Sequence, residues 1–330
     1  MKQALVTGGC GFVGRHVVMR LLGMGLKVWA VDNLSTGQHP DTWMPKDYVD
    51  SGAFVFVEDD VRKFFAQYPG GAKPARDLPD FDDVFHLAAV VGGRVKIDSD
   101  PIAVANDLAI DSDMFTWAVK VRPGRILFAS SSAAYPIDLQ ASEGATALKE
   151  ADINFGGRLG QPDMTYGWSK LTGEYLARIA AQHYGLRVAC VRPFSGYGED
   201  QDLTYPIPAI AARAARHEDP FEVWGSGDQG RDFVHIEDCV DAMLLALDKI
   251  SDGSGVNIGS GKLTSFKEVI RIFCGFAGYE PTIKPLLDKP VGVHSRYADV
   301  TIAKEILGFT PKISIDEGLR RVCEAALKRI

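Results

Sequence analysis

The chain lacks several things, and each absence closes off a class of function. No run of about 18 consecutive apolar residues occurs, so the chain is not expected to span a membrane. Basic charge is not in excess. Asp and Glu number 43 against 36 Lys and Arg, a formal net charge of −7, so there is no general cationic surface for nucleic acid, and an anionic ligand has to be met by individual arginines. Cysteine is scarce, and Cys10, Cys190, Cys239, Cys274 and Cys323 show no paired metal-ligand spacing. With a strand-like segment at the very start, this leads us to expect no structural zinc, no secretion signal and a reducing, cytoplasmic setting. Internal repeats and low-complexity tracts are also missing, which leaves one large globular unit with room for a smaller lobe in 330 residues.

Glycine, by contrast, is plentiful at 34 residues, and its first cluster falls where a strand should end. Lys2-Gln3-Ala4-Leu5-Val6 reads as a buried strand, Gly8-Gly9-Cys10-Gly11-Phe12-Val13-Gly14 follows, residues 15–22 have helical periodicity, and residues 28–31 read as a second strand ending at Asp32. This is a βαβ unit of about 30 residues. Glycine there permits a tight turn and lets the backbone approach a diphosphate at a helix N-terminus, and Asp32 can accept both hydroxyls of an adenine ribose. Because Asp32 would repel a 2′-phosphate, NAD is favoured over NADP. Tight turns also use glycine with no ligand, so the cluster alone decides nothing.

Strand-like runs recur at 54–57, 83–87, 125–129 and 187–191 with helical stretches between most of them. That alternation predicts an α/β fold, a doubly wound parallel sheet covered on both faces. The Pro-, Gly- and charge-rich segment 68–80 reads as a surface loop. After about Val191 the pattern becomes irregular, with helices expected near 207–217, 236–250, 265–277 and 303–307.

Tyr166-Gly167-Trp168-Ser169-Lys170 supplies the chemistry. A four-residue step puts Tyr166 and Lys170 on one helical face, where the ammonium can lower the phenol pKa from about 10 toward working pH. Such a tyrosine can take the proton of an alcohol whose hydride passes to a dinucleotide. An isolated Tyr on a helix is usually packing, and the reading gains force from the glycine cluster upstream.

These motifs and their order resemble the extended short-chain dehydrogenase/reductase family, specifically its NAD-dependent nucleotide-sugar epimerases and dehydratases. The similarity runs nearly end to end: Thr7 to Gly14, Asp32-Asn33-Leu34-Ser35-Thr36-Gly37, Asp59-Asp60-Val61-Arg62, His86-Leu87-Ala88-Ala89, Ser130 to Pro136, the Tyr166/Lys170 pair, Arg192-Pro193-Phe194, Gly225 to Phe233, Asn257 to Gly261, Arg296-Tyr297-Ala298-Asp299 and Leu307 to Pro311. The resemblance implies an NAD-binding Rossmann domain over 1–190 and 231–255 and a smaller α/β lobe for a nucleotide sugar over 191–230 and 256–330. It implies a cofactor site of Gly8, Gly11, Phe12, Val13, Gly14, Asp32, Asn33, Ser35, Thr36, Gly37, Asp60, Val61, Leu87, Ala88, Ala89, Asn106 and Pro193 beside Tyr166 and Lys170. Ser131 falls on the catalytic Ser/Thr. Gly93, Arg94, Ser131, Ser132, Ser195, Val223, Trp224, Arg231, Arg296 and Asp299 fall on substrate positions, with the two arginines clamping a diphosphate. It further implies a homodimer, with helices at 103–120 and 168–184 pairing with their twins in a four-helix bundle.

Within the family the strand end at Ser130-Ser131-Ser132-Ala133 discriminates. Ser132 and Ala133 stand where 4,6-dehydratases carry an Asp-Glu pair, and Ala133 where 3,5-epimerising members carry a cysteine. Elimination and α-carbon epimerisation need such groups, so the expected reaction is C4 epimerisation through a transient 4-ketose, with a 4-dehydrogenase, a 4-reductase or a 3,5-epimerase as alternatives. Val91-Gly92-Gly93 and residues 221–227 resemble GDP-fucose synthases and GDP-mannose 3,5-epimerases, which favours a GDP-sugar over a UDP-sugar. Ser195 in place of the usual asparagine, and Glu199-Asp200 in place of Pro-Arg, depart from the family pattern. His217 and His294 are the histidines to consider if another acid/base group acts. Two other classes stay open here: a dehydrogenase of a simple alcohol, and a non-catalytic cofactor-binding regulator.

Overall fold

Apolar runs too short for helices fold as strands buried on both faces. The computed structural model describes residues 1–67, 78–90, 94–141 and 145–329, with 94–96 in backbone only; most of the expected 68–80 loop lies outside these. In chain order the first strands are β1 (Gln3–Thr7), β2 (Lys27–Asp32), β3 (Phe54–Glu58), β4 (Asp83–His86), β5 (Arg125–Ala129) and β6 (Val188–Pro193). Then come β7 (Ser195–Tyr197), β8 (Phe221–Trp224), β9 (Gly230–Arg231), β10 (Phe233–His235), β11 (Asp252–Ile258), β12 (Thr264–Ser265), β13 (Ile283–Leu286) and β14 (Ser295–Arg296). Seven of them form one sheet in the order β11-β6-β5-β4-β1-β2-β3, and every pairing in it is parallel. The order reverses between β1 and β4, whose last residues Thr7 and His86 are register partners. A doubly wound sheet opens its ligand crevice at such a reversal, beyond the carboxyl ends of the strands.

The helices are α1 (Phe12–Gly23), α2 (Lys46–Asp50), α3 (Val61–Ala66), α4 (Arg94–Ser99), α5 (Pro101–Val104), α6 (Asn106–Val121), α7 (Met164–Tyr184), α8 (Pro206–Ala215), α9 (Ile236–Lys249), α10 (Phe266–Phe276) and α11 (Ile315–Leu327). Alternation along a strand separates their cores. Val6 of β1 packs with Val17 and Leu21 of α1 and Met243 of α9, while Leu5 packs on the other face with Phe64 of α3, Met114 of α6 and Ala177 of α7. A third core, with Ile210, Phe221, Phe273 and Leu319, fills the second lobe between α8, α10 and α11.

The large sheet and its core take in more of the chain than the expected 1–190 and 231–255, since β6 runs to Pro193 and β11 to Ile258. Residues 303–307 form a π-helical turn, and Ala303, Leu307 and Phe309 join the α1/α9 core of the large sheet although 256–330 was expected in the second lobe. Their apolar side chains have a ready partner there in α9.

Candidate active site

The first turn of α7 is fastened to the end of β5. Asp163 N–H donates to the Ala133 carbonyl at 3.0 Å, Gly167 N–H to the Asp163 carbonyl at 2.8 Å, and Thr165 Oγ1 to the Pro101 carbonyl at 2.8 Å. Only glycine fits at 167, because a Cβ there would lie 2.4 Å from the Ala133 oxygen. This docking sets Tyr166 against Ser131, whose side chain is hydrogen-bonded to the phenol. Ser131 Oγ also accepts the Ala133 N–H at 3.1 Å, which fixes its rotamer. One turn along, Lys170 is buried with Nζ 5.9 Å from the centroid of the Tyr166 ring and 5.5 Å from that of Phe128.

The expected depression of the Tyr166 pKa is not what this arrangement gives. Burial pushes the phenol up; Lys170 and the Ser131 hydrogen bond pull it down, Asp107 and Asp111 push it further up, and the net direction is upward. Burial works to lower the Lys170 pKa, but Asp111, Asp107 and Tyr166 outweigh it and the ammonium is held above its ordinary value. The two aspartates were not legible as site residues. Asn106, expected at the cofactor, has an exposed side chain that donates to the Ala103 carbonyl at 2.9 Å; the next residue, Asp107, is buried and coupled to Lys170.

The crevice between β1 and β4 fits NAD. Gly11 begins α1 with no side-chain cap, and the first turn has no acidic residue, so its N–H groups suit a diphosphate. Gly8 has φ +68°, and a Cβ on Gly14 would lie 2.0 Å from the Gly8 oxygen, so Phe12, Val13 and the rest of the turn close only on glycine. Half-buried Asp32 accepts Cys10 N–H at 2.9 Å on one oxygen and Leu34 N–H at 2.8 Å on the other, which holds its carboxylate over the turn. Asn33 shapes the exposed Ser35-Thr36 loop by accepting the Ser35 N–H, and Gly37 packs against Cys10. Asp60 caps α3 through the Arg62 N–H and Val61 is buried. Leu87 and Ala88 donate their N–H groups to Thr7 Oγ1, bringing the strand end before Ala89 to the crevice. Pro193 ends β6 opposite Ile258.

The second lobe brings its two arginines together. Arg231 and Arg296 are register partners on the adjacent parallel strands β9 and β14, so their side chains share a face. Arg231 donates to the carbonyls of Gly230 at 2.7 Å, His294 at 3.2 Å and Val291 at 3.3 Å. Arg296 reaches Gln140 at 2.5 Å and forms an ion pair with Asp163 at 2.9 Å, three residues before Tyr166. Ser132 and Ala133 are buried beneath Tyr166's turn, Val223 is buried, Trp224 is exposed, Ser195 donates its N–H to Asp232, and Asp299 accepts the Thr301 N–H. Gly93 lies outside the described residues, and Arg94 is described only as the start of α4. His217 is exposed at the end of α8, bonded to the Ala277 carbonyl, and His294 is bonded to the Ser295 hydroxyl. Tyr205, which no motif marked, is electrostatically coupled to Tyr166, its phenol pushed up to about 12 by burial and then by Tyr166.

Known proteins resemble this chain over nearly its whole length. It is 30% identical over 322 residues to GDP-mannose 3,5-epimerase 1 of Oryza sativa subsp. indica, covering 96% of this chain and 79% of that protein. It is 30% identical over 329 residues to a putative UDP-glucose 4-epimerase of Methanocaldococcus jannaschii, covering 96% of each. Its fold superposes with a TM-score of 0.82 and 27% identity on the crystal structure of UDP-glucose 4-epimerase with UDP-glucose from Thermotoga maritima, covering 99% of both chains. Residues 4–259 match the NAD dependent epimerase/dehydratase family, and the chain belongs to that family: it is an enzyme, and its cofactor is NAD.

Proposed function

We propose that this enzyme epimerises a nucleotide diphosphate hexose at C4 through a transient 4-ketose. The observation that carries the reading is the Tyr166, Ser131 and Lys170 grouping at the sheet's crevice, with alanine at 133, where a further acid/base group would be needed for other outcomes. Bound NAD would supply a hydride acceptor that gives the hydride back. Ser131 orients the sugar hydroxyl, Tyr166 takes its proton and later returns it, and Lys170 stabilises the phenolate. Arg231 and Arg296, side by side on β9 and β14, offer planar donors to the diphosphate. The local motifs favour a GDP-sugar, while the relatives include enzymes named for GDP-mannose and for UDP-glucose.

Exposed apolar side chains on α7, among them Met164, Trp168 and Tyr175, lie along one face beside α6, with Leu108 exposed there. That face supports a homodimer through a four-helix bundle. No described helix is long and apolar enough to cross a membrane, and we place the enzyme in the cytoplasm.

Incubation with NAD and GDP-, UDP- or dTDP-hexoses in deuterium oxide tests the reaction. A C4 epimer without deuterium at C3 or C5 is expected. Deuterium at those carbons sinks the C4-only reading, and Tyr205 then becomes the residue to replace, ahead of His217 and His294.

A further inference from the structure

Among the described residues, three buried side-chain atoms have no hydrogen-bond partner, and two of them are the carboxylate oxygens Asp107 Oδ2 and Asp111 Oδ2. Both residues lie on α6 one turn apart, and they are 0% and 1% exposed. A buried, ionised carboxylate oxygen without a donor is costly, and two such neighbours resist ionising together. The hydrogen bonds assign the protons around them. Thr7 Oγ1 accepts the Ala88 N–H and shares the Leu87 N–H with its own backbone carbonyl, at 3.2 Å each, which leaves its hydroxyl to donate to His86 Nδ1 at 2.8 Å. His86 Nδ1 is then an acceptor, and the neutral ring donates Nε2–H to Asp111 Oδ1 at 3.2 Å. Asp107 Oδ1 accepts the Val90 N–H at 2.5 Å. Facing the two acids are therefore neutral His86 from β4, the Val90 amide beyond it, and Tyr166 and Lys170 from α7. Lys170 is the cation that acts on Asp107. Two ionised carboxylates against one ammonium leave an excess negative charge before Tyr166 has lost its proton.

We propose that the carboxylates of Asp107 and Asp111, acting through Lys170, set the pH at which Tyr166 becomes phenolate, and that Asp107 holds a proton at low pH which it gives up before the phenol ionises. While Asp107 keeps its proton, one carboxylate faces Lys170 and the ammonium's field still reaches Tyr166. That proton leaves to solvent at a pH below the one at which the phenol ionises, so two carboxylates then claim Lys170 and hold the Tyr166 midpoint up. Asp107 is the better holder, since burial, aided by Asp111 and opposed by Lys170 and the Val90 amide, pushes its carboxyl up to about 6. The aspartates act on the reaction through Lys170, which makes them positioning residues.

The inference rests on Tyr166 being the base, so its test reads the tyrosine directly and needs no substrate. Tyrosinate absorbance is titrated in the wild type and in Asp107→Asn, each minus its own Tyr166→Phe counterpart, which cancels the other tyrosines. Asparagine keeps the shape and the acceptor for Val90. The Tyr166 midpoint is expected to fall by about one pH unit or more in Asp107→Asn, and in the same direction in Asp111→Asn, because one buried negative charge is gone. In the infrared, wild type at about pH 5 should show a buried carboxyl C=O stretch that Asp107→Asn lacks. An unmoved or raised midpoint in variants with wild-type near-ultraviolet circular dichroism overturns the proposal, as does the missing carboxyl band. If Asp107→Asn does not fold, the Asp111→Asn midpoint decides. Failure to find turnover on any sugar nucleotide would count against the proposed reaction and leave this titration untouched.

Discussion

Lys170 and Glu174 stand one turn apart on α7, and both are buried among charges, but their surroundings differ. Glu174 accepts Ser130 Oγ at 2.5 Å and Arg192 Nε at 2.9 Å on one oxygen and Arg192 Nη2 at 2.7 Å on the other. Arg192 goes on to Tyr135 Oη at 2.9 Å, and Tyr135 to Asn257 Oδ1 at 2.7 Å. The Glu174 cluster balances its charges and leaves no carboxylate oxygen without a donor. It joins α7 to β5, β6 and β11, and its geometry has no slack for a reaction. Around Lys170 the charges do not balance and two carboxylate oxygens lack donors. A satisfied buried network rigidifies, whereas an unsatisfied one marks where stability has been given up for chemistry.

The sharpest way to break the contrast is to remove the group the open cluster serves. Tyr166→Phe should lower turnover by about two to four orders of magnitude while leaving NAD binding and melting temperature nearly unchanged. Turnover within about threefold of wild type would remove Tyr166 as the base. The closed cluster should respond the other way. Glu174→Ala leaves Arg192 buried without its carboxylate and should cost about 3–5 kcal/mol of stability in denaturant melts; a loss under about 1 kcal/mol would mean the cluster is not the fastening it looks like.

The ionisation of Asp107 gives a pH-dependent version of the same contrast. Its pKa is raised from 3.8 to about 6, so the folded state holds this proton more tightly than the unfolded chain does. Its contribution is therefore most favourable below pH 3.8 and declines as pH rises through about 6. Asp107→Asn lacks this decline, and its stability relative to wild type should grow by up to about 3 kcal/mol across that window, at ~1.4 kcal/mol per pH unit. Paired denaturant melts at several pH values measure it, and a difference that stays flat would place the wild-type proton elsewhere.

The two clusters also show how far the sequence could be read. Tyr166, Lys170, Ser131 and the glycine turn were legible because their chemistry requires fixed residue types at fixed local spacings. The parallel sheet was legible because buried strands alternate with helices. Asp107 and Asp111 were not, since two acids a turn apart on a helix normally read as a solvated face, and only the packing of α6 on α7 turns them inward. The resemblance marked only the neighbouring Asn106, one residue and about 100° away around the helix. The upward shift of Tyr166 was missed for a similar reason: spacing reveals the helpful ammonium but neither the burial nor the opposing carboxylates. The Arg231 and Arg296 positions were readable singly, while their register on β9 and β14 is a tertiary fact.

Another ion pair lies between these extremes and should give the smallest effect. Arg296 and Asp163, 2.9 Å apart, are neither sealed like Glu174 and Arg192 nor left unbalanced like the Lys170 cluster: their side chains are 11% and 13% exposed. If Arg296 serves a diphosphate, Asp163 partly neutralises it before ligand arrives, and the incoming anion has to share the guanidinium. Asp163→Asn keeps an acceptor for Arg296 and removes the competing charge. A partly exposed pair is worth about 0–1 kcal/mol, so nucleoside diphosphates should bind up to about fivefold more tightly to this variant, with protein stability nearly unchanged. Titration calorimetry with GDP and UDP checks it, and Arg296→Ala supplies the control, since the gain should vanish in the double variant. Tighter binding that persists without Arg296 would mean that Asp163 repels the diphosphate directly and that the ion pair plays no part in reception.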